Sequence, residues 1–447
     1  MGGIAFGDEV IVTPGVGGRE VAKADGVAGP TAPSCGAQPW ANAMAAARTT
    51  AIATDPRSST PILDALPMPA STTAPPSPVA PTVERTFGAR RDRAAASARQ
   101  AAIGALLVAP GSDLAYLCGH RIHTSERMTC LVIAASGSAT LVVPELEAPR
   151  ARHAAPGIDI RTWGETDDPV ALVAGLVPPD GSVALDDRMW ASFVLRLQAA
   201  LPQRRFSAAS PVTTTLRVIK DDDEIARLRA VSASADRAYA RIRERAFSGR
   251  AERDVSREIG ELLRSEGHDE VGFAIVASGP NGASPHHEAG DRVIGPGDAI
   301  VLDFGGTMAW YSSDITRTVH VGASVDADVR RVHDVVLRAQ EAGYGAAREG
   351  VTAESVDAAA RAVIDDAGYG AFFIHRLGHG IGLDGHETPY LVRGNTERLA
   401  PGMAFSIEPG IYLPGRFGVR IEDIAVLGRD GRAEPLNNAD RSLAIVE

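Results

Sequence analysis

The sequence predicts an α/β domain over residues 85–215 followed by an α+β domain over residues 216–447. Between 85 and 215, short apolar runs of strand character alternate with helical stretches; beyond 216, long amphipathic helices alternate with glycine-bounded strands. Size and composition agree. A chain of 447 residues exceeds what one hydrophobic core usually organises, and 45% hydrophobic with 23% charged residues is a globular composition.

Residues 1–84 hold 12 of the 29 prolines, in stretches such as PMPASTTAPPSPVAPT, and are predicted to be a disordered tail. From Thr86 an Arg-rich helical stretch, FGARRDRAAASARQ, leads into the strand-like run ALLVAPG and then DLAYLCGH. CLVIAASGSATLVVPE supplies further strands, and SVALDDRMWASFVLRLQAAL reads as a strand and then a helix. Nothing here reads as catalytic, and His120, His123 and His153, set among polar residues, are expected to be surface or loop histidines. The next unit opens at Asp221, which is placed to cap a helix with Glu224 three residues on and Ile225, Leu228, Val231, Ala235 and Ile242 at helical spacing. Helices at DVSREIGELLRSEG and VRRVHDVVLRAQEA follow.

The formal charge is −11, and after Leu216 there are 37 Asp+Glu against 27 Lys+Arg, which disfavours a nucleic-acid partner. Cys35, Cys118 and Cys130 have no metal-ligand spacing and leave an odd thiol, so neither a zinc knuckle nor a disulfide scaffold is expected. No apolar run is long enough for a membrane span, the start lacks a secretory pattern, and a cytoplasmic location is expected.

The chemistry lies in the second unit. GDAIVLDFGG puts Asp303 at the end of an apolar strand, and eleven residues later, after a glycine-containing connection, YSSDITRT puts Asp314 at the start of another. If the two pair as a hairpin, both carboxylates can share one face. Glu408 follows a strand-like run in FSIEPGIY; in GVRIEDIAV, Arg420 and Glu422 face one side of a strand and Val419 and Ile421 the other. HRLGHGIGLDGHETP adds His375, His379 and His386 in a glycine-rich stretch that lets backbone approach a ligand. Four carboxylates with one imidazole are too anionic for one divalent ion and suit two, of Mn2+, Co2+, Fe2+ or Zn2+. HExxH and GxSxG are absent, and the GxGxxG at Gly380, Gly382 and Gly385 follows no strand and is not read as a dinucleotide loop.

In this order, VLDFGG, SSDITRT, HRLGHGIGLDGHE, IEPGIY and GVRIED resemble the M24 "pita-bread" metallopeptidases, the clan of methionine aminopeptidase, prolidase and aminopeptidase P. Residues 85–215, with DLAYLCGH, resemble the creatinase/prolidase N-terminal domain, and the LRVIKDDDEIARLR junction is similar to the same proline-specific branch. The resemblance implies an α+β pita-bread catalytic domain preceded by an α/β creatinase-type domain. It implies Asp303, Asp314, His379, Glu408 and Glu422 as ligands of two divalent ions, most often Mn2+, with Asp314 and Glu422 bridging. His286 in SGPNGASPHHE, His375 and His386 match outer-shell histidines, and His287 is left out. His286 and His386 would handle the scissile carbonyl and the proline side, Glu408 would also move protons, and Arg420 would steady the ligand shell. The implied reaction is hydrolysis of an Xaa-Pro bond, at a peptide N-terminus or in a dipeptide, by a metal-bound hydroxide, in a homodimer. Two alternatives are a metal-free creatinase-like amidinohydrolase and a non-catalytic binding module, both of which the intact ligand set disfavours. Gly385 departs from the family, where a larger residue is usual.

Overall fold

The computed structural model describes residues 80–447, so the predicted tail lies, up to residue 79, outside the described residues. Helix α1 (Ala80–Gln100) begins with Pro81 in its first turn, where a missing N–H costs nothing. The first part of the chain then builds one mixed sheet from β1 (Ile103–Val108), β2 (Cys130–Ala134), β3 (Ala139–Pro144), β4 (Asp159–Trp163), β5 (Ser182–Leu185) and β6 (Phe206–Ala208), in the order β4-β3-β2-β1-β5-β6. β1, β2 and β3 pair antiparallel, and the outer pairings are parallel.

Strand periodicity sorts the apolar side chains into two cores. Leu106, Val108, Leu131, Ile133, Leu141 and Val143 pack with α1, α2 (Ser112–Cys118), α3 (Ala148–Ala154) and α6 (Ser210–Arg217) on one face. Leu107, Cys130, Val132 and Val142 pack on the other with α4 (Pro169–Leu176) and α5 (Ala191–Ala200), giving the three layers of an α/β domain. His120 corrects the expectation of a surface histidine. Gly119 ends α2 in the left-handed conformation, and the next residue is turned wholly into the interior, with neither ring nitrogen hydrogen-bonded. Burial lowers its pKa and keeps it neutral.

Helix α7 (Asp222–Ile242) starts with the predicted capping box: Glu224 N–H donates to Asp221 Oδ1 at 2.9 Å, and Asp221 N–H donates to Glu224 Oε2 at 3.0 Å. Helix α8 (Glu252–Ser265) follows. These helices cover a sheet of β7 (Glu270–Ser278), β8 (Ala299–Met308), β9 (Tyr311–Val321) and the last strand of the chain, in the order last-β9-β8-β7. Helices α9 (Ala327–Ala346) and α10 (Ala353–Asp366) cover a second group of strands: β10 (Gly378–Gly380), β11 (Glu387–Leu391), β12 (Ala404–Ile407), β13 (Gly410–Leu413), β14 (Phe417–Arg420), β15 (Asp423–Leu427) and β16 (Ala433–Pro435). β17 (Ala444–Val446) then returns to pair with β9. The two groups meet at one antiparallel bridge, Thr316 to Glu422.

Candidate metal centre

Hairpin β8–β9 pairs Asp303 with Thr316 and Gly305 with Asp314. An offset of two residues puts both carboxylates on one face as diagonal neighbours, as the sequence predicts. Their places in the strands differ from expectation: Asp303 is mid-strand, and the hairpin runs on to a two-residue turn at Ala309–Trp310, both with positive φ. Gly305 belongs to the strand rather than to a loop, because a Cβ there would lie 2.1 Å from the Ser313 carbonyl oxygen.

The second group of strands brings up the remaining donors. His379 lies in β10, whose glycines have a different purpose from the one expected. A Cβ on Gly378 would sit 2.0 Å from Ser406 O and one on Gly380 2.1 Å from Thr388 O, so these glycines admit neighbouring strands rather than a ligand. Glu408 follows β12, and its Oε1 accepts from Ser406 Oγ at 3.2 Å. Val419 and Ile421 enter the α9–α10 core, as the alternation demands, leaving Arg420 and Glu422 on the site side although the strand breaks after Arg420. The Glu422 N–H donates to Thr316 O at 3.0 Å, and Thr316 Oγ1 donates to Glu422 Oε2 at 2.7 Å.

One ring nitrogen of His379 is thereby assigned. Its Nδ1–H donates to Gly380 O at 3.1 Å, and burial foremost, with His386 next, pushes its pKa down to about 3. The neutral ring then turns the lone pair of Nε2 toward Glu408 Oε1 at 3.4 Å, Asp314 Oδ2 at 3.7 Å and Glu422 Oε1 at 3.9 Å. Donor atoms of Asp314, His379 and Glu422 all lie within 4.8 Å of one another. Burial and then repulsion from neighbouring carboxylates, Asp303 and Glu408 among them, raise Asp314 and Glu422 well above the usual carboxylate range, and burial pushes Glu408 up to about 7. Among the described residues, the buried carboxylate oxygens without a hydrogen-bond partner are Asp303 Oδ1, Asp314 Oδ1 and Glu422 Oε1. Lone pairs facing lone pairs in a buried site fit divalent cations.

Arg420, 2% exposed, is the hub of the surrounding shell. It donates to Asp303 Oδ2 at 2.5 Å, Thr316 Oγ1 at 3.1 Å and Tyr412 Oη at 2.7 Å, and reaches Pro285 O, next to His286, at 3.4 Å. Tyr412 Oη–H in turn donates to His375 Nε2 at 2.8 Å, because Nδ1–H of His375 donates to Arg376 O. His375 thus acts through Tyr412 and Arg420 rather than on the donor cluster. The His386 ring meets that of His379 at a tilt of 46° with centroids 3.9 Å apart, and His286 and His386 are both solvent-facing. His287 turns away to donate to Glu252 Oε2 at 2.8 Å, and Glu252 also accepts from Ser278 N–H and Oγ and from Asn281. Sequence reasoning missed Thr316, Tyr412 and Glu252. Tyr412 lies inside the quoted IEPGIY motif, whereas Glu252 carries no local signal because its partners are 26 or more residues away.

Residues 226–429 match the description "Metallopeptidase family M24", and residues 90–219 match "Creatinase/Prolidase N-terminal domain". The chain is 45% identical over 365 residues to a "Probable dipeptidase PepE" of Mycobacterium tuberculosis, covering 80% of this chain and 96% of the relative. It is 33% identical over 342 residues to an "Xaa-Pro dipeptidase" of Pyrococcus horikoshii, covering 76% and 94%. The crystal structure of dipeptidase PepE from Mycobacterium ulcerans superposes with a TM-score of 0.77 at 44% identity, covering 81% of this chain and 98% of that one. The chain therefore belongs to metallopeptidase family M24, with a creatinase/prolidase-type domain ahead of its pita-bread catalytic domain.

Proposed function

We propose that this metallopeptidase hydrolyses the Xaa-Pro bond, in a dipeptide or at a peptide N-terminus, with Asp303, Asp314, His379, Glu408 and Glu422 holding two divalent ions. The observation that carries this reading is the convergence of the Asp314, Glu408 and Glu422 carboxylates on the lone pair of His379 Nε2, with one oxygen each of Asp303, Asp314 and Glu422 buried without a partner. Xaa-Pro dipeptidases among the relatives support the substrate class. Two bound ions would supply an activated water and positive charge for the developing oxyanion. Asp314 and Glu422, which reach His379 Nε2 from the two groups of strands at 3.7 and 3.9 Å, would be the residues shared by both ions, as the resemblance implies. Arg420 fixes Asp303, and His286 and His386 donate to the carbonyl oxygen. The prolyl nitrogen carries no hydrogen and leaves only when protonated, and Glu408 would move that proton, the role that the resemblance implies for it.

We further propose Mn2+ as the working ion and a homodimer, both supported by the resemblance of the motifs, and a cytoplasmic location, supported by cysteines whose number and spacing suit no disulfide scaffold. The division proposed is 1–84, 85–215 and 216–447. An oxygen-rich set with one imidazole accepts Mn2+ and also Co2+, Zn2+ or Fe2+. Donor atoms at all five positions speak against a metal-free amidinohydrolase and against a binding module. Nucleic acid is not a proposed partner, and among the described residues no helix is long and apolar enough to cross a membrane. The test compares an Xaa-Pro dipeptide with an Xaa-Pro-Xaa tripeptide in the presence of Mn2+. Cleavage of the dipeptide alone assigns a dipeptidase, cleavage of the tripeptide an aminopeptidase, and cleavage of neither refutes the proposal.

A further inference from the structure

His386 has no hydrogen-bond partner among the described residues, and its ring lies against that of His379, with centroids 3.9 Å apart. Its neighbour Gly385 offers no packing, since a Cβ there would meet nothing within 4 Å. Strand pairing with Gly380 holds the backbone at Glu387, where β11 begins, and the side chains on either side of this pair are anchored as well. Asp384 accepts from Ser112 Oγ at 2.5 Å, Arg188 Nη2 at 2.6 Å and Arg217 Nη2 at 2.6 Å. Glu387 accepts from Lys220 Nζ at 2.6 Å and again from Arg217. Arg217 is therefore shared between the two anchors, and its other amino group donates to Asp113 Oδ1 at 2.6 Å.

These partners come from outside the catalytic domain's own strands. Ser112 and Asp113 open α2, Arg188 follows β5, Arg217 ends α6, and Lys220 lies in the passage to α7. Three cations face three carboxylates, so the cluster is neutral and can remain largely buried. Burial works against the charge of Arg217, but Glu387, Asp113 and Asp384 outweigh it and raise its pKa. A cavity of about 190 Å³ lined by Arg217, Asp384, His386 and Glu387 lies against the cluster, so His386 stands at an open space with its backbone clamped on both sides.

We propose that Arg217 is a positioning residue for His386: by binding Asp384 and Glu387 at once, it clamps the loop on both sides of the histidine, and through its bond to Asp113 it ties the N-terminal domain to the active-site geometry. The inference rests on the proposed role of His386. A clamp of this kind acts on orientation, and misplacement of a reacting group by about 1 Å costs up to about a hundredfold in rate. The metal ligands are carried by other strands, so metal content is not expected to change.

The test is a double-mutant cycle on the full chain reconstituted with Mn2+, reading kcat and KM on an Xaa-Pro dipeptide and bound metal per chain. R217M should lower kcat about ten- to a hundredfold, with KM and metal content near wild type. In a His386→Ala background, the same substitution should change kcat less than about twofold, because the group it positions is gone. Equal losses in both backgrounds, or loss of metal in R217M, would overturn the inference. If R217M does not fold, the pair S112A and R188A, at a site where Arg188 is 52% exposed, removes two of the three donors to Asp384 and enters the same cycle with the same readings. An H386A chain with wild-type kcat would refute the assigned role of His386 itself, whereas a slow H386A chain with additive losses refutes only the positioning role.

Discussion

Metal binding at this site must displace protons, and the structure says roughly how many. Burial pushes Glu408 up to about 7, and burial with neighbouring carboxylates raises Asp314 and Glu422 well above the usual range. At about pH 6 a group of pKa about 7, as Glu408 has, is about nine-tenths protonated. Divalent ions bind the carboxylate form, so loading at about pH 6 should release at least about nine-tenths of a proton per chain, the share that Glu408 holds. Each proton released makes the apparent affinity rise about tenfold per pH unit, worth about 1.4 kcal/mol, until the group ionises on its own. The apparent affinity for Mn2+ should therefore climb from about pH 5 to pH 7, across the range in which Glu408 ionises. Calorimetric titration of the chelated protein in two buffers of different ionisation enthalpy measures the release directly. Full occupancy at about pH 6 with less than about half a proton released would show that the carboxylates are already ionised without metal, and the buried-anion argument would fail.

The same shifts govern stability without metal. A carboxyl whose folded pKa lies above its unfolded value contributes stability below the unfolded pKa and loses it as pH rises through the folded one. Glu408, with an ordinary value of 4.5, should thus cost the chelated protein about 3 kcal/mol between about pH 4.5 and pH 7.5. Thermal melts of chelated protein should fall across that window, and a rise would contradict the shift. Arg317→Met should destabilise by about 3–5 kcal/mol, since Arg317 at 1% and Asp423 at 2% exposure form a buried pair and truncation strands the carboxylate; a denaturant midpoint giving less than about 1 kcal/mol would refute this. Asp303→Asn and Glu408→Ala should abolish Xaa-Pro hydrolysis with the far-UV spectrum unchanged. His287→Ala should cost a few-fold at most, because Glu252 keeps its bonds from Ser278 and Asn281.

What the sequence reveals depends on how local each cause is. The period of two along a strand is local, so the shared face of Asp303 and Asp314 and the opposed faces of Arg420 with Val419 could be read from spacing alone. The capping box at Asp221 spans three residues and was equally legible. Glycines misled in both directions. Gly305 and Gly306 resembled a connection and are strand, while Gly378 and Gly380 suggested ligand approach and instead permit close strand pairing. Partners from far along the chain left no local trace: Thr316 meets Glu422 106 residues away, and Arg217 meets Glu387 170 residues away. His120 illustrates the same limit, since its polar neighbours in sequence say nothing of the interior into which Gly119 turns it.

The central claim, that five side chains from two strand groups hold two ions, is tested most directly by metal content. Purified protein, stripped, reconstituted with Mn2+ and desalted, should carry two ions per chain by elemental analysis. A stoichiometry near zero, after loading with Mn2+, Co2+ or Zn2+, would contradict it.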